Sequence, residues 1–384
     1  MPMRSAAVLI AVLLLTACGP QSHGDTSHPR PSQSPFPRAS AAAPAIAFPD
    51  KPNVFYLRMF GVEGWSSTWV ASEPLPRAFK TIDAGGHWSL QAVDGGVMAM
   101  YALDPQRAWV AFKAASGVAI AATSDGGRSW NSSTPVGNAD SVGSLRFLDS
   151  LNGTLTLWSA GASPTAASAS AFRTADGGAT WLQLAVPTAA AGCRDVWDVV
   201  LVDRTRAFLS PGFCPVQAPL LATSDGGTTW SPARLPPAPW IGTAGFSTIS
   251  GVNVPEFPNP NDGYIVGAAG TTTGANALQH AWLYRSHDGG GNWSVASLPA
   301  TPGETDFSRS PSLWFVGYEN GDNDHSILYH SRDAGASWQR LTAMTFQPRS
   351  IRFSDDLHAL AAGFDGIYAT FDGGRTWVDA RTRP

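Results

Sequence analysis

Hydrolysis of a glycosidic bond requires two carboxyl groups that converge on one sugar, so acidic residues are the first candidates for chemistry. The chain has only five glutamates, and none lies in a recognisable catalytic string: Glu63, Glu73, Glu256, Glu304 and Glu319. The eight histidines show no metal-ligand spacing, and the chain has no phosphate-binding loop, serine elbow or nucleotide fingerprint. The sequence therefore predicts no catalytic residue, no metal and no cofactor, although distant carboxylates could still converge in space.

Residues 319–326, "ENGDNDHS", bring three carboxylates close together and could supply oxygen ligands to calcium. Their spacing is not that of an EF-hand loop. We prefer the interpretation of a solvated polar turn.

Arginine recurs in three similar apolar strings, as Arg58 in "FYLRMF", Arg146 in "SLRFLD" and Arg352 in "SIRFSD". If these strings are the innermost strands of a closed fold, the arginines form a basic lining that could bind an acidic peptide or a carboxylate. The alternative is that they pair with turn carboxylates such as Asp149 and Asp355.

Two cysteines, Cys193 and Cys214, lie in the body of the chain. If Asp203 and Arg204 form a two-residue turn, a hairpin places the two thiols opposite each other. The spacing predicts a structural disulfide, and two buried free thiols are the alternative.

The elements that must position these residues are indicated by a string that recurs seven times, Ser/Thr-x-Asp-Ala/Gly-Gly-x-x-Trp. Its aspartates lie 42, 51, 49, 63, 45 and 39 residues apart, which is typical of repeated supersecondary units. The aspartates are Asp83, Asp125, Asp176, Asp225, Asp288, Asp333 and Asp372. The tryptophans are Trp88, Trp130, Trp181, Trp230, Trp293, Trp338 and Trp377.

The chemistry of this string suits a tight hairpin. The aspartate can accept hydrogen bonds from backbone N–H groups, the glycines supply positive φ, and the first hydroxyl ties the loop from its other side. The tryptophan, expected on the outgoing strand, covers the turn. We therefore interpret each copy as structural.

The seven strings match the Asp-box, or BNR repeat, S-x-D-x-G-x-T-W. From residue 50 to 384 the chain resembles families that carry it, including sialidases, sortilin-type receptors, xyloglucan-cleaving glycosidases and photosystem II stability and assembly factors. The resemblance implies that each box joins the third and fourth strands of a propeller blade, away from any active site. His87 and Asn292 replace Ser/Thr at the seventh position, which we expect to weaken those two caps.

Between the boxes the sequence fits four short strands, as at 349–355, 358–363, 366–372 and 375–381 in the last repeat. We predict an all-β fold, a single seven-bladed β-propeller of four-stranded antiparallel blades, over residues 47–384. The 63-residue gap then holds one enlarged blade.

The N-terminal residues predict export. An apolar run at 6–15 leads into "LTAC", which resembles the bacterial lipoprotein box, so residues 1–17 read as a signal peptide and Cys18 as the lipidated residue. The alternative is an ordinary secretory signal with a chance cysteine. Residues 18–46 are rich in proline, serine and alanine and read as a disordered tether that reaches roughly 30 Å from a membrane.

Removal of the signal leaves 24 basic against 29 acidic residues, a net charge of −5. A nucleic-acid partner is therefore not expected. We expect a monomeric, membrane-anchored protein on the extracytoplasmic side, in the cell envelope or periplasm.

Two functions compete. A sialidase resemblance would require an F-R-I-P-like string, where this chain has "FYLRMF", with Arg58 but no proline. A glycoside hydrolase of exo-sialidase type is therefore the alternative. The preferred function is a non-enzymatic lipoprotein that binds a protein or envelope partner, most similar to the photosystem II assembly-factor type.

The loops indicate where a partner would bind. Segments 159–171, 210–219, 231–260 and 267–281 are long, and a blade meander places them all on the face opposite the boxes. The candidate contact residues there are Trp240, Phe246 and Phe257. The alternative is that these aromatics cover blade edges.

Overall fold

The computed structural model describes residues 48–49, 52–70, 73–93, 95–159, 168–187, 196–211, 220–239, 251–252, 254–269, 280–319 and 325–382. These residues form seven four-stranded sheets, each built from four consecutive antiparallel strands. The all-β, seven-bladed propeller predicted from the sequence is confirmed. No helix long and apolar enough to cross a membrane occurs among the described residues.

Blades 1 to 3 hold the strands β1 to β12. Blade 1 comprises β1 (Asn53–Phe60), β2 (Glu63–Trp69), β3 (Arg77–Thr81) and β4 (Ser89–Leu90). Blade 2 comprises β5 (Val97–Ala102), β6 (Ala108–Ala114), β7 (Gly117–Thr123) and β8 (Asn131–Ser132). Blade 3 comprises β9 (Ser141–Phe147), β10 (Gly153–Ser159), β11 (Ser168–Thr174) and β12 (Leu182–Gln183).

Blades 4 to 7 hold the remaining strands. Blade 4 comprises β13 (Val196–Leu201), β14 (Ala207–Pro211), β15 (Leu221–Thr223) and β16 (Ser231–Pro232). Blade 5 comprises β17 (Gly251–Val252), β18 (Gly263–Ala269), β19 (His280–Ser286) and β20 (Ser294–Ser297). Blade 6 comprises β21 (Thr301–Arg309), β22 (Ser312–Tyr318), β23 (Ser326–Ser331) and β24 (Gln339–Ala343). Blade 7 comprises β25 (Pro348–Phe353), β26 (Ala359–Gly363), β27 (Ile367–Thr370) and β28 (Val378–Asp379).

The first strands of neighbouring blades contact each other, as β1 does with β5, β5 with β9, β9 with β13 and β21 with β25. The first strands therefore surround the propeller axis, and the fourth strands lie outermost. Contact between β25 and β1 closes the ring. Because every blade is continuous in sequence, closure depends on side-chain packing between blades 7 and 1.

The core is divided among the blade interfaces. Within the described residues there are seven buried apolar clusters, and each joins two neighbouring blades. Between blades 1 and 2, for example, Trp65 packs with Val110 and Trp130. Between blades 7 and 1, Leu57 packs with Leu360 and Ile367. Burial of these faces is the main force that stabilises the ring.

The seven recurring strings form seven hairpins between the third and fourth strands of their blades, which we name the box hairpins. In blade 6, Oγ of Ser331 accepts the N–H of Gly335 at 2.8 Å and donates to Oδ1 of Asp333 at 2.8 Å. Asp333 then accepts the N–H and Oγ–H of Ser337 at 2.8 and 2.6 Å. The aspartate thus ties both arms of the turn together.

The same contacts recur in the other copies, including those that depart from the pattern. Nδ1 of His87 lies 2.6 Å from Oδ2 of Asp83, and Nδ2 of Asn292 donates to Oδ2 of Asp288 at 2.7 Å. The expectation of weakened caps at these two positions is wrong, because a ring nitrogen and an amide reach the same carboxylate oxygen as a hydroxyl.

The tryptophans lie immediately before the fourth strand and not on it as predicted; Trp377, for example, precedes Val378–Asp379. Their indoles fold back over the turn: Nε1 of Trp88, Trp181, Trp293 and Trp377 donates to the carbonyl of the glycine at the fifth position of the string, at 3.0 to 3.2 Å. The turn therefore extends through the tryptophan, and the fourth strand begins only after it.

The turn in blade 4 differs from the predicted two-residue turn. Leu201 pairs with Ala207, because Oδ1 of Asp203 accepts the N–H groups of both Thr205 and Arg206 at 2.7 Å and lengthens the reversal. A register shift between Val196 and Asp198 follows along the strand. Cys193 and Cys214 lie outside the described residues, so the disulfide stays a prediction.

Candidate functional site: the axial channel

A channel with a volume of 820 Å³ runs along the propeller axis. One end is bordered by Phe55 and Trp69, on the face opposite the box hairpins, and the other by Leu103 and Leu148. The channel therefore runs along the length of the first strands.

Each blade contributes one side chain at an equivalent level of this channel. The shared position is the inner residue that pairs with the second or third residue of the blade's second strand, as Arg58 pairs with Trp65 and Asp306 with Trp314. In chain order the seven residues, which we name the axial ring, are Arg58, Tyr101, Arg146, Val200, Glu256, Asp306 and Arg352. All seven line the channel.

The three arginines predicted as a basic lining thus come together in one ring. Their surroundings differ, however. The partners considered from the sequence are not used, since Asp149 accepts the N–H groups of Leu151 and Asn152, and Asp355 pairs with His358. Each aspartate stabilises its own turn, three residues or fewer away.

Arg146 is paired across the boundary between blades 3 and 4. Its Nε and Nη2 lie 2.7 and 2.6 Å from Oδ2 of Asp198, a side chain that is nine-tenths buried. Burial opposes the charged guanidinium, but the Asp198 carboxylate outweighs it and raises the pKa of Arg146. Arg146 is therefore a fixed cation whose charge is already neutralised.

Arg352 and Asp306 bridge blades 6 and 7 through the backbone. Nη1 of Arg352 donates to the carbonyls of Thr305 and Ile351 at 2.9 and 2.6 Å. Asp306 is 2% exposed and accepts the N–H of Phe353 at 2.6 Å and the hydroxyl of Ser308 at 2.7 Å. Both carboxylate oxygens of Asp306 are therefore engaged.

Arg58 is the exception. Within the described part of the chain it makes no hydrogen bond or ion pair, and its Cζ lies 5.6 Å from the ring centre of Phe60 and 5.7 Å from that of Tyr101. Burial opposes its charge, but Tyr101, Tyr56 and the channel carboxylates raise the pKa of Arg58. It is a half-buried cation with donors to spare.

Glu256 provides the remaining carboxyl of the ring. Its backbone forms an isolated bridge with Tyr264 of β18, which continues the pairing of the first two strands of blade 5 beyond β17. Burial raises the pKa of Glu256, although Arg352 and Arg146 lower it in part. The acidic members of the ring thus lie on blades 5 and 6.

The channel mouth carries an apolar rim on blade 1. Phe55, Trp69 and Leu75 are 58%, 40% and 37% exposed and line the channel entrance. The opposite face also exposes apolar side chains, among them Ile82 and Phe371, but they lie on the box hairpins, away from the mouth. Large exposed rings around a polar cavity are typical of a contact surface.

The structure places Phe257 in the packing between blades 4 and 5. Its ring stacks on Phe208 at 5.6 Å and meets Trp293 edge-on at 6.2 Å. The alternative interpretation, an aromatic that covers a blade edge, describes Phe257 better than partner binding does. Trp240 and Phe246 lie outside the described residues and stay predictions.

Several channel residues were missed from the sequence, namely Tyr56, Tyr101, Asp198, Glu256, Asp306 and the blade 1 rim. Aligning the repeats on their first strands would have found the axial ring, because its members share one register position. Glu319, the described carboxylate of the calcium candidate at 319–326, accepts hydrogen bonds from Tyr329 and Arg340. No cluster of metal-ligating side chains occurs among the described residues.

No family model matches the chain. A 127-residue segment is 31% identical to a photosystem II assembly lipoprotein, Ycf48, of Synechococcus sp. (strain CC9902), covering 32% of this chain and 34% of that protein. The matched segment therefore spans about a third of this curated relative.

Two solved structures share the fold. A GH74 xyloglucanase from Xanthomonas campestris superposes with a TM-score of 0.57 at 16% identity, over 90% of this chain and 56% of that one. YCF48 bound to a D1 peptide superposes with a TM-score of 0.52 at 14% identity, over 89% of this chain and 98% of that one. The resemblance to both groups of propeller drawn from the sequence is confirmed, at the level of the fold.

Proposed function

We propose that this chain is a non-enzymatic, extracytoplasmic propeller, anchored through a lipid on Cys18, that binds an acidic segment or terminal carboxylate of a protein partner in its axial channel. Residues 1–17 are the signal peptide, 18–46 the tether and 47–384 the binding domain in this proposal. The curated relative is named a lipoprotein, and one solved relative holds a peptide, which supports both parts of the proposal.

The observation that carries the proposal is the state of Arg58. A guanidinium with no hydrogen-bond partner among the described residues, held between two aromatic rings, retains donors that a carboxylate can satisfy in a bidentate manner. The neighbouring phenol is already oriented, because the N–H of Ala102 donates to Oη of Tyr56 at 2.8 Å. The blade 1 rim would cover apolar side chains that flank the carboxylate.

Hydrolysis of a glycan is the second candidate, favoured by the half-buried Glu256 carboxyl and by the likeness to a xyloglucanase fold. Hydrolysis requires a second carboxylate that is free to act on the sugar or on water. The oxygens of Asp306 accept hydrogen bonds from Ser308 and Phe353, and Asp198 is paired with Arg146. Asp306 and Asp198 are therefore already engaged, which favours binding over catalysis inside the channel.

The experiment is capture of membrane proteins by the intact lipoprotein, compared with Arg58→Ala and with Arg128→Ala. Arg128 is the matched control because it is exposed on a box hairpin, on the opposite face. Specific capture should be lost with Arg58→Ala and kept with Arg128→Ala. Equal capture by all three proteins, or cleavage of xyloglucan or a fluorogenic sialoside by the wild type, would contradict the proposal.

The long loops supply an independent part of the proposal. Trp240→Ala, or shortening of residues 267–281, is expected to weaken capture while the unfolding free energy stays within about 1 kcal/mol of wild type. Loss of capture on changing Arg375 on the box face instead would show that the docking face is the wrong one.

A further inference from the structure

A second cavity lies beside the channel mouth, at the junction of blades 6, 7 and 1. Its volume is 470 Å³, within the range of small-ligand pockets. We name it the side pocket, and its lining includes Phe55, Glu304, Tyr318, Gln347, Arg349 and Phe364. Since Phe364 lies between β26 and β27 and Phe55 near the start of β1, the side pocket opens on the face opposite the box hairpins.

The side pocket holds one carboxyl and one guanidinium. Glu304 is half-buried and makes no hydrogen bond or ion pair with the described residues. Arg349 is fixed on two sides, since Nη1 donates to Oδ1 of Asn53 at 2.6 Å and Cζ lies 4.8 Å from the ring centre of Phe364. The formal charges of Glu304 and Arg349 therefore cancel. The carboxyl of Glu304 is a hydrogen-bond acceptor and the guanidinium of Arg349 a donor, and both line the same pocket.

Two phenyl rings flank these polar groups and are turned to solvent. Phe364 is 65% exposed and Phe55 is 58% exposed, more than any other phenylalanine in the described part of the chain. Exposed rings of this size leave apolar area that a ligand face could cover. The side pocket thus has a mainly polar lining, with one acceptor and one donor side chain, and two exposed phenyl rings at its edge.

This combination excludes several ligand classes. An anion would meet the Glu304 carboxylate, and a cation would meet the Arg349 guanidinium. A purely apolar side chain would remove water from both charged groups without replacing their hydrogen bonds, which is costly. A sugar ring has an apolar C–H face for the phenyl rings and hydroxyls that both donate to a carboxylate and accept from a guanidinium.

We propose that the side pocket binds a neutral saccharide, whose ring stacks on Phe364 and Phe55 and whose hydroxyls are held by Glu304 and Arg349. This site is separate from the carboxylate site at Arg58, so either can fail alone. Phe55 borders both cavities, and a partner that carries both a peptide and a glycan could fill them together.

The test is saturation-transfer NMR and titration of the full chain in a zwitterionic detergent that has no sugar headgroup. The probes are cellobiose, maltose and N,N′-diacetylchitobiose, at up to about 10 mM, which detects the weak affinities expected of small sugars. At least one probe should receive magnetisation from the protein. No transfer to any of the three would overturn the proposal.

Two variants and one control then locate the site. Phe364→Ala and Glu304→Gln should each lower the affinity for the bound probe by about fivefold or more. The first variant removes a stacking face and the second removes a charged acceptor. Phe371→Ala is the control, since Phe371 is an exposed phenylalanine of the same blade on the opposite face. Its affinity should stay within about twofold of wild type. Unchanged affinity in both site variants, or equal loss in Phe371→Ala, would contradict the assignment.

Discussion

Arg146 on β9 and Asp198 on β13 are joined by an ion pair of 2.6 Å that ties the first strands of blades 3 and 4 together at the channel wall. The two side chains are unequally exposed, at 37% for Arg146 and 9% for Asp198. Loss of the arginine therefore leaves a buried carboxylate, whereas loss of the aspartate leaves a cation that water can partly reach.

We predict that Arg146→Ala lowers the unfolding free energy by about 3 kcal/mol and Asp198→Ala by about 1 to 2 kcal/mol, after allowance for partial solvent screening. The double variant should lose less than the sum of the two, because it leaves no orphaned charge. Urea unfolding of the three variants measures this. Additive losses would show that the pair is not coupled.

The box aspartates make the free energy of unfolding depend on pH. Hydrogen bonds from the side chain and N–H of Ser337 lower the pKa of Asp333 to about 2, and those from the N–H and side chain of Asn292 lower the pKa of Asp288 to about 2. The pKa values of the other five box aspartates are lowered as well. In the unfolded chain the pKa of an aspartate is about 3.9.

Because the folded pKa values lie below the unfolded one, this contribution is fully present above about pH 4 and is lost as the pH falls towards about 2. We predict that the urea midpoint falls steeply between these values. Asp333→Asn should make the fall shallower by removing one of the seven protonation steps. A midpoint that does not change over this range would contradict the hydrogen-bond scheme of the hairpins.

The fourth position of the box hairpin tests backbone strain. Alanine occupies it in blade 1, where Ala84 has φ +55°, whereas Gly226 has φ +75° at the matching position in blade 4. Left-handed backbone costs an alanine about 1 kcal/mol relative to glycine. Ala84→Gly should therefore raise the thermal midpoint, and Gly226→Ala, the matched reverse change, should lower it. Shifts of the same sign in both would rule out strain as the cause.

The number of blades could be predicted from the sequence because each box hairpin is held by contacts among eight consecutive residues. The axial ring is harder to predict, because its members come from seven blades and share only a register position, while their types differ, from Arg58 to Glu256. Arg146 illustrates the difficulty: the nearby Asp149 caps its own turn, and the partner is Asp198, 52 residues away. Proximity in sequence predicts turns well and contacts between blades poorly.

Anchoring is tested at Cys18, which lies outside the described residues. Cys18→Ser should give a protein that lacks acyl chains and is either uncleaved or released from membranes. Mass spectrometry of the purified chain and membrane fractionation measure the two effects. A wild-type chain without the acyl mass, fractionating like the variant, would refute lipidation.

The most direct test of the binding account is a titration of the full chain with a labelled peptide that ends in an aspartate and a free carboxylate, followed by fluorescence anisotropy. The amidated peptide with asparagine in place of aspartate is the ligand control. We predict that the wild type binds the acidic peptide more tightly than the control peptide. Arg58→Ala should lower the affinity for the acidic peptide by about tenfold or more, and Arg128→Ala should change that affinity by less than about twofold. Equal affinity for the two peptides, or equal loss in both variants, would contradict the assignment of Arg58 as the carboxylate-binding residue.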